Sequence, residues 1–197
     1  MCGRFYIPSD DAPEDLLALL NRAESNGQRL NASFQLPRGE VRPGDCAAVV
    51  ALNRASRQSV FAMKWGFRTG KQLLINARSE TANDKPTFRQ SMQDRRCLIP
   101  ASAYFEWDHR EKPMAKYRFA CPDAPFFYLA GLYRFEPDSP FPVFTVLTRS
   151  AVPAISDFHD RMPVILPQEA TSAWLDRSRD PLPLLARAIT ALTWHKA

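Results

Sequence analysis

From Cys46 onward, the sequence alternates between short apolar segments and turns that contain Pro, Gly, Asn or Asp. The segments CAAVVAL and SVFAMKWGF flank NRASRQ and predict a β-hairpin. Further strands are predicted at LLINARSE, RCLIP, AYFEW, MAKYRFA, FFYLAGLYRF, FPVFTVLT and MPVIL. Many short strands with few helices between them are typical of a curved mixed or antiparallel sheet. We therefore predict an α+β fold with a β-rich, barrel-like curved sheet that is flanked by short helices.

The strongest helix signal lies at residues 13–26. Pro13 suits the first turn, Glu14 and Asp15 complement the helix dipole, and Gly27 predicts the end of the helix. Shorter helices or helical turns are predicted at KPTFRQSMQD, VPAISDF, QEATSAWLDR and PLPLLARAI, whereas LPRGEVRPGD yields no assignment. The chain shows no repeat and no change of composition, so we expect a single domain over residues 1–197.

Several classes of protein are excluded by composition. No segment is long and apolar enough to span a membrane, and the N-terminus lacks the layout of a signal peptide. The four cysteines and three histidines are scattered, without a CxxC pair or a zinc-ligand spacing. We therefore expect a cytoplasmic protein with reduced cysteines, no metal site, no cofactor and no membrane partner.

Positive charge is concentrated in one part of the chain. Between residues 64 and 96 there are eight basic and three acidic residues, and this excess equals the net charge of +5 of the whole chain. Arginine is also far more frequent than lysine. Because guanidinium groups suit phosphates and stack on aromatic rings, this pattern indicates a nucleic-acid partner. A solvated basic surface is the alternative.

A cysteine directly follows the initiator methionine. Chain ends fray unless they are tied down, so position 2 is a poor place for a core residue. Removal of Met1, which is expected when the second residue is small, would leave Cys2 with a free α-amine and a thiol on adjacent carbons. We therefore identify Cys2 as a candidate nucleophile, with ordinary packing as the alternative.

Two predicted strands carry further candidates. Asn76 and Arg78 share one face of the strand in INARSE, which makes either a phosphate-binding surface or simply a solvent-exposed one. Glu106 shares a face with Tyr104 in the aromatic strand AYFEW. A carboxylate that loses hydration there has a raised pKa and suits proton transfer, and the alternative is a glutamate on an edge strand facing water.

Histidine and aromatic residues supply the remaining candidates. His159 in FHDRMPVIL is suited to proton shuttling near neutral pH, or serves a structural role in a loop. Trp65 and Phe67 in KWGF lie beside Lys64 and Arg68. Aromatic residues interleaved with basic ones are typical of single-stranded nucleic-acid binding, and packing in the core is the alternative.

The motifs MCGRF, KWGF, INARSET, RRCLIPASAYFEW, LAGLY and HDRMPVIL occur in this order. With them the chain closely resembles the SRAP family (SOS response-associated peptidase), whose members are also described as abasic-site processing proteins. The resemblance extends from Cys2 to about Trp174, and it implies an α+β domain with a positively charged groove for single-stranded DNA. The family usually has a longer loop, bearing proline and tryptophan, where this chain has only RTGKQLL.

Carried over position by position, the resemblance implies two sets of site residues. Cys2 matches the N-terminal nucleophile of the family, and Asn76, Glu106 and His159 match its other active-site residues. Arginines that match residues holding DNA phosphates are Arg4, Arg78 and Arg161. Residues that fall where the family lines its DNA groove are Trp65, Phe67, Trp107 and Thr148.

The function that the resemblance implies is binding of single-stranded DNA at abasic sites. A covalent thiazolidine crosslink through Cys2, formed after removal of Met1, would then shield the lesion during the DNA damage response. We expect a monomer that is associated with the nucleoid when it is bound to DNA. Two alternatives stay open. One is a cysteine peptidase with Cys2 as its nucleophile, and the other is a non-catalytic module that binds single-stranded DNA.

Overall fold

The computed structural model describes residues 2–9, 11–110 and 112–197. The helices are α1 (Glu14–Gln28), α2 (Pro86–Asp94), α3 (Pro153–Ser156), α4 (Thr171–Leu175) and α5 (Leu182–Leu185), and a 3-10 helix covers Gln168–Ala170. The strands are β1 (Arg4–Ile7), β2 (Gly39–Val41), β3 (Cys46–Leu52), β4 (Gln58–Trp65), β5 (Phe67–Thr69), β6 (Gln72–Leu74), β7 (Asn76–Arg78), β8 (Arg96–Ala101), β9 (Ala103–Asp108), β10 (Ala115–Ala120), β11 (Phe127–Arg134), β12 (Val143–Ser150), β13 (Arg161–Pro163), β14 (Ile165–Leu166) and β15 (Thr193–Lys196).

Five strands of the larger sheet form a closed ring. The pairings run from β12 to β4, β3, β8 and β11, and β11 pairs with β12 again. All of these pairings are antiparallel except the parallel pair of β4 with β12. Closure leaves these five strands without a free edge on the ring. The predicted α+β fold with a barrel-like curved sheet and short helices is therefore confirmed.

A second sheet, of five antiparallel strands, packs against this barrel in the order β15-β10-β9-β1-β2. Trp65 lies at the junction of the two sheets, fully buried. Its ring contacts Phe5 of β1, with centroids 5.0 Å apart, and stacks on Phe144 of β12 at 6.1 Å. Its indole N–H donates to the carbonyl of Ile75 at 2.9 Å, which fixes the segment that leads into β7.

The first helix ends later than its sequence indicates. Gly27 is predicted to end it, yet Gly27 is a buried residue inside α1, which continues to Gln28. A β-carbon at Gly27 would lie 2.3 Å from the ring of Phe34. Gly27 is therefore required because the chain after the helix folds back and packs a phenyl ring onto this position.

The predicted hairpin of β3 and β4 and the strands from β9 to β12 are confirmed, as are α2 and the helical turn of α3. Strand β8 includes Pro100, although Pro100 was expected to separate two strands. Terminal helices are shorter than expected, with only one or two turns in α4 and α5. Three strands had no sequence-based assignment: β1, β2 and β15. Within the described ranges, no helix combines the length and the apolar character needed to cross a membrane.

Candidate functional site

Cys2 and Glu106 come together because β1 and β9 are antiparallel neighbours. Arg4 pairs with Phe105 in this register, so the residues just before β1 lie alongside Glu106 and Trp107. The Cys2 side chain is fully buried, and Glu106 is 4% exposed. The cysteine that the sequence places at a chain end is therefore a core residue, with its thiol 3.8 Å from the carbonyl of Arg4.

Burial controls the protonation of both groups. It raises the pKa of Glu106 from 4.5 to about 7, because the carboxylate loses hydration. It also raises the pKa of the Cys2 thiol well above its ordinary value, and the nearby charge of Glu106 adds to this effect. At neutral pH the thiol is therefore protonated, whereas Glu106 exchanges a proton readily. A carboxyl group with a pKa near the working pH suits general acid–base chemistry.

Asn76 binds the backbone of Cys2. It begins β7, whose parallel pairing with β12 places Asn76 beside Val146. Its side-chain amide donates to the carbonyl of Cys2 at 2.9 Å. The amide oxygen is buried and accepts no hydrogen bond from any residue in the described ranges. One end of this side chain therefore holds the backbone of Cys2, and the other is a buried acceptor next to it.

His159 lies in the loop between α3 and β13, partly exposed. Its Nδ1 accepts the backbone N–H of Arg161 at 2.9 Å, and burial lowers the pKa of the imidazole below 6.5. The neutral ring therefore carries its proton on Nε2. When the ring is protonated, Nδ1 instead pairs with the carboxylate of Asp160, which lies 2.6 Å away.

Arg161 and Arg78 flank the same end of β12. The guanidinium of Arg161 binds both carboxylate oxygens of Glu80, at 2.8 and 2.7 Å, and donates to the carbonyl of Thr148 at 2.8 Å. These bonds lower the pKa of Glu80. Arg78 pairs in register with Thr148, and its side chain is exposed. A phosphate arriving here would meet Arg78 directly and compete with Glu80 for Arg161.

Arg4 lies on the other side of Cys2. Its guanidinium donates to Glu40 at 3.1 Å and lies over the ring of Trp107, 5.8 Å from the centroid. Both side chains are partly exposed. Arg4 and Trp107 therefore combine a cation and an aromatic surface within two residues of Cys2 and one of Glu106.

Three of the residues expected to line a DNA groove are buried instead. Trp65, Phe67 and Thr148 are each 0% exposed. Phe67 packs under the guanidinium of Arg134, 4.5 Å from the ring centroid, and Trp65 packs between the two sheets. The alternation of β4 and β5 turns these rings toward the core, so no ring face is available to a base in this structure. Core packing was the alternative that the sequence left open.

One residue of the site was not singled out from the sequence. Tyr104 is fully buried on the face of β9 that carries Glu106, and its ring stacks on Phe119 with centroids 4.9 Å apart. Its hydroxyl is buried and has no hydrogen-bond partner among the described residues. Burial raises its pKa, and the charges of Cys2 and Glu106 add to this shift. The alternation of AYFEW already placed Tyr104 beside Glu106, but only the structure shows its hydroxyl within the site.

The residues that the structure describes contain no group of three or more His, Cys, Asp or Glu side chains that could hold a metal ion. The free cysteines are Cys2, Cys46, Cys97 and Cys121. The site is therefore built from a thiol, a carboxyl group of raised pKa, an amide and an imidazole, with arginines around it.

These features define a class of protein: a closed α+β barrel that buries a cysteine beside a carboxyl group of raised pKa, with arginines nearby. Comparison with known proteins makes the assignment specific. The family model described as SOS response associated peptidase (SRAP) matches residues 1–196. The chain belongs to the SRAP family.

Curated relatives are abasic site processing proteins. The chain is 30% identical over 199 residues to "Abasic site processing protein YoqW" of Bacillus subtilis, covering 92% of this chain and 83% of that protein. It is 31% identical over 181 residues to "Abasic site processing protein YedK" of Escherichia coli, covering 89% and 79%.

Solved structures share the fold. A protein from Bacteroides thetaiotaomicron is similar with a TM-score of 0.78 and 21% identity, covering 99% of this chain and 91% of that one. A phage-related protein from Bordetella bronchiseptica is similar with a TM-score of 0.75 and 26% identity, covering 100% and 94%.

Proposed function

We propose that this protein captures abasic sites in single-stranded DNA through a thiazolidine crosslink to Cys2, formed after removal of Met1, and so shields the lesion. The family assignment supports action at abasic sites. The observation that carries the finer chemistry is a buried carboxyl group with a pKa of about 7 beside Cys2. We also propose that the protein acts as a monomer on DNA in the cytoplasm.

The reaction begins at the α-amine. An abasic site in its ring-opened form presents an aldehyde. A terminal amine has a pKa of about 7.7–8.0 and is partly neutral at cellular pH, whereas a lysine amine at about 10.4 is almost fully protonated. The neutral amine of Cys2 attacks the aldehyde carbon to give a carbinolamine, and loss of one water then gives the Schiff base.

The thiol acts second. It adds to the carbon of the protonated Schiff base, its proton passes to the Glu106 carboxylate, and the new carbon–sulfur bond closes a five-membered thiazolidine. This order follows from burial, which keeps the Cys2 thiol protonated until the imine is present. Both nucleophiles belong to one residue, so ring closure is intramolecular and gains from proximity.

Neighbouring residues transfer protons and orient the amine and the DNA. Glu106 gives a proton to the departing water and takes one from the thiol, because its pKa of about 7 allows both. His159 exchanges a proton with the sugar oxygen that opens and closes. Asn76 holds the carbonyl of Cys2 and thereby the direction of the amine. Arg4, Arg78 and Arg161 hold phosphates on either side of the lesion.

Intact-mass spectrometry tests the proposal directly. Incubation with single-stranded DNA that contains one abasic site is expected to add the mass of the DNA less one water, in an adduct that survives denaturant. Cys2→Ala keeps an α-amine and loses the thiol, so we expect a Schiff base that is trapped only by a reductant. Cys46→Ala removes a thiol outside the site and is expected to leave the stable adduct unchanged.

A form that carries Met-Lys before Cys2 provides the decisive control. It lacks a free α-amine on Cys2, and we expect it to form no thiazolidine. A stable thiazolidine adduct with this form would refute the scheme. Salt-dependent binding without any adduct would instead support a purely non-catalytic DNA-binding module.

Peptidase activity, which the family description names, is a second candidate. Cys2 would be the nucleophile, His159 the base and Asn76 a donor to the oxyanion. A peptidase needs a thiolate, and burial of Cys2 favours the neutral thiol. Cleavage of a peptide extension before Cys2, followed by mass spectrometry and lost in His159→Ala, would support this activity.

A further inference from the structure

The outward side of the smaller sheet, opposite the side that carries Glu106, is a basic and aromatic surface that extends beyond the candidate site. We call it the outer face, and define it by the partly exposed Arg4, Tyr6, Trp107, Lys116 and Arg118 together with Phe105, whose ring is buried beneath them. Residues directly opposite one another in an antiparallel pair lie on the same side of the sheet. The register pairs Arg4 with Phe105, Phe105 with Arg118, and Lys116 with Trp107.

Cations and rings alternate across this surface and contact one another. The ammonium of Lys116 lies 4.0 Å from the ring centroid of Phe105. The guanidinium of Arg118 lies 5.8 Å from that of Tyr6, and Arg4 lies at the same distance from Trp107. Such contacts pack the long side chains against the rings on the surface of the sheet.

The outer face has an excess of positive charge. Glu40, which pairs in register with Tyr6, is its one carboxylate among the described strand positions. Glu40 binds both Arg4 and Lys116, and these contacts lower its pKa. Arg118 has no ion pair with any residue in the described ranges and lies beside His195 of β15. A single acid, Glu40, therefore offsets the positive charge of three cations: Arg4, Lys116 and Arg118.

This surface is continuous with the candidate site. Glu106 and Trp107 are neighbours in β9 and point to opposite sides of the sheet, and Arg4 begins the strand that follows Cys2. The row from Arg4 through Phe105 and Arg118 to His195 crosses four strands. At about 4.8 Å between strands, it extends about 15 Å away from the site.

We infer that the outer face binds the stretch of single-stranded DNA that leaves the lesion past Arg4 and Trp107. The inference rests on the proposed function and adds a second contact region for the same strand. Lys116 and Arg118 bind successive phosphates, and Tyr6 offers its ring to an unpaired base. Aromatic rings between the cations favour nucleic acid over an acidic peptide, because bases stack on rings and carboxylates do not.

Equilibrium binding of DNA without an abasic site tests the inference independently of crosslinking. The probe is a fluorescein-labelled oligothymidylate of about 15 nucleotides, measured by anisotropy over a series of salt concentrations. Each phosphate contact on a single strand contributes about 0.7 to the slope of log K against log salt. We expect Lys116→Gln/Arg118→Gln to lower the magnitude of this slope by about 1.4.

A matched control removes the same charge elsewhere. The control variant, Arg54→Gln/Arg57→Gln, changes two arginines in the exposed turn between β3 and β4 of the barrel. It is expected to keep the parent slope. Arg118→Lys keeps the positive charge and is therefore also expected to keep the parent slope.

Two outcomes would overturn the inference. One is an unchanged slope in a Lys116→Gln/Arg118→Gln variant that unfolds at the parent temperature, which would show that neither cation contacts DNA phosphates. The other is an equal loss of slope in the control pair. Because the probe has no aldehyde, failure of the crosslinking chemistry would leave this result unaffected.

Discussion

Glu106 is the residue whose chemistry depends most on the fold. A glutamate in solution titrates near 4.5, and burial beside Cys2 raises the pKa of Glu106 to about 7. The same side chain on an exposed edge strand would be a permanent carboxylate at cellular pH. The sequence motif supplies the residue type, and the tertiary structure supplies the proton affinity.

This shift makes stability depend on pH in a predictable direction. Between about 4.5 and about 7 the folded protein keeps a proton on Glu106 that the unfolded chain has released, so the stabilisation is complete below 4.5 and is lost as pH rises through 7. From about pH 5 to about pH 8, the free energy of unfolding should fall by about 2–3 kcal/mol more in the parent than in Glu106→Gln.

Urea unfolding of both proteins at the two pH values measures this difference. Glu80→Gln is the control, because contacts with Arg161 hold the pKa of Glu80 below its ordinary value. Glu80 is therefore ionised in the folded state throughout this range and largely ionised in the unfolded chain, so its removal should change stability by nearly the same amount at each pH. Identical pH profiles for the parent and Glu106→Gln would contradict the assigned proton affinity.

At the scale of single residues, the sequence indicated which side chains share a strand face better than it indicated which of them are buried. Alternation correctly placed Asn76 and Arg78 on one side of a strand and Tyr104 with Glu106 on one side of another. It could not show that Cys2 is a core residue, since chain ends usually fray. Nor could it show the rings of Trp65 and Phe67 turning inward, because a half-buried strand pattern does not say which face meets the second sheet.

Among the elements, β8 and α4 are joined by a buried arginine. Arg96 is 3% exposed and lies against the ring of Trp174 at 5.5 Å. Its Nε donates to the carbonyl of Trp174 at 2.6 Å, and its Nη1 donates to that of Met92 at 3.1 Å. Further donations reach the carbonyls of Asp176 and Arg179. One guanidinium thus satisfies carbonyls at the ends of two short helices and in the turn that follows.

Arg96→Lys should therefore destabilise the protein although it keeps the charge. A single ammonium cannot reach carbonyls on both sides of the ring, so at least one charge-assisted hydrogen bond is lost, for a decrease of about 3 kcal/mol in the free energy of unfolding. Chemical denaturation measures the decrease. Arg187→Lys, an exposed residue paired with Glu169 at 3.4 Å, should change it by less than about 0.5 kcal/mol. Equal effects of the two substitutions would argue against this role.

Elements with regular patterns were predictable, and elements that exist only through pairing were not. Helix α1 and the β3–β4 hairpin follow from local periodicity and turn residues. Three strands have four residues or fewer: β1, β2 and β15. They are strands because β9 provides a partner for β1, β1 for β2, and β10 for β15. Local sequence contains no signal for such partners, which is why only β9 and β10 of the sheet that positions Cys2 were predicted.

In the whole molecule, two tryptophans have different surroundings: one packs in the core and the other lies at the surface. Trp65 is fully buried between the barrel and the smaller sheet, and its N–H satisfies the carbonyl of Ile75. Trp107 is partly exposed beside Arg4, on the outer face. Both lie in motifs that the sequence associates with DNA, yet they occupy opposite physical environments.

Replacing each tryptophan by leucine should therefore have opposite consequences. Trp65→Leu leaves a cavity between the sheets and is expected to lower the free energy of unfolding by about 3 kcal/mol. Its effect on oligothymidylate affinity, measured well below the unfolding temperature, should be small, because the ring presents no surface to DNA.

Trp107→Leu should lower stability by less than about 1 kcal/mol, since the side chain is already partly solvated. It should weaken oligothymidylate binding through loss of the stacking surface. If Trp65→Leu weakened DNA binding while the folded fraction stayed constant, the indole would contribute to binding by holding the segment before β7 through its bond to Ile75, and so the position of Arg78.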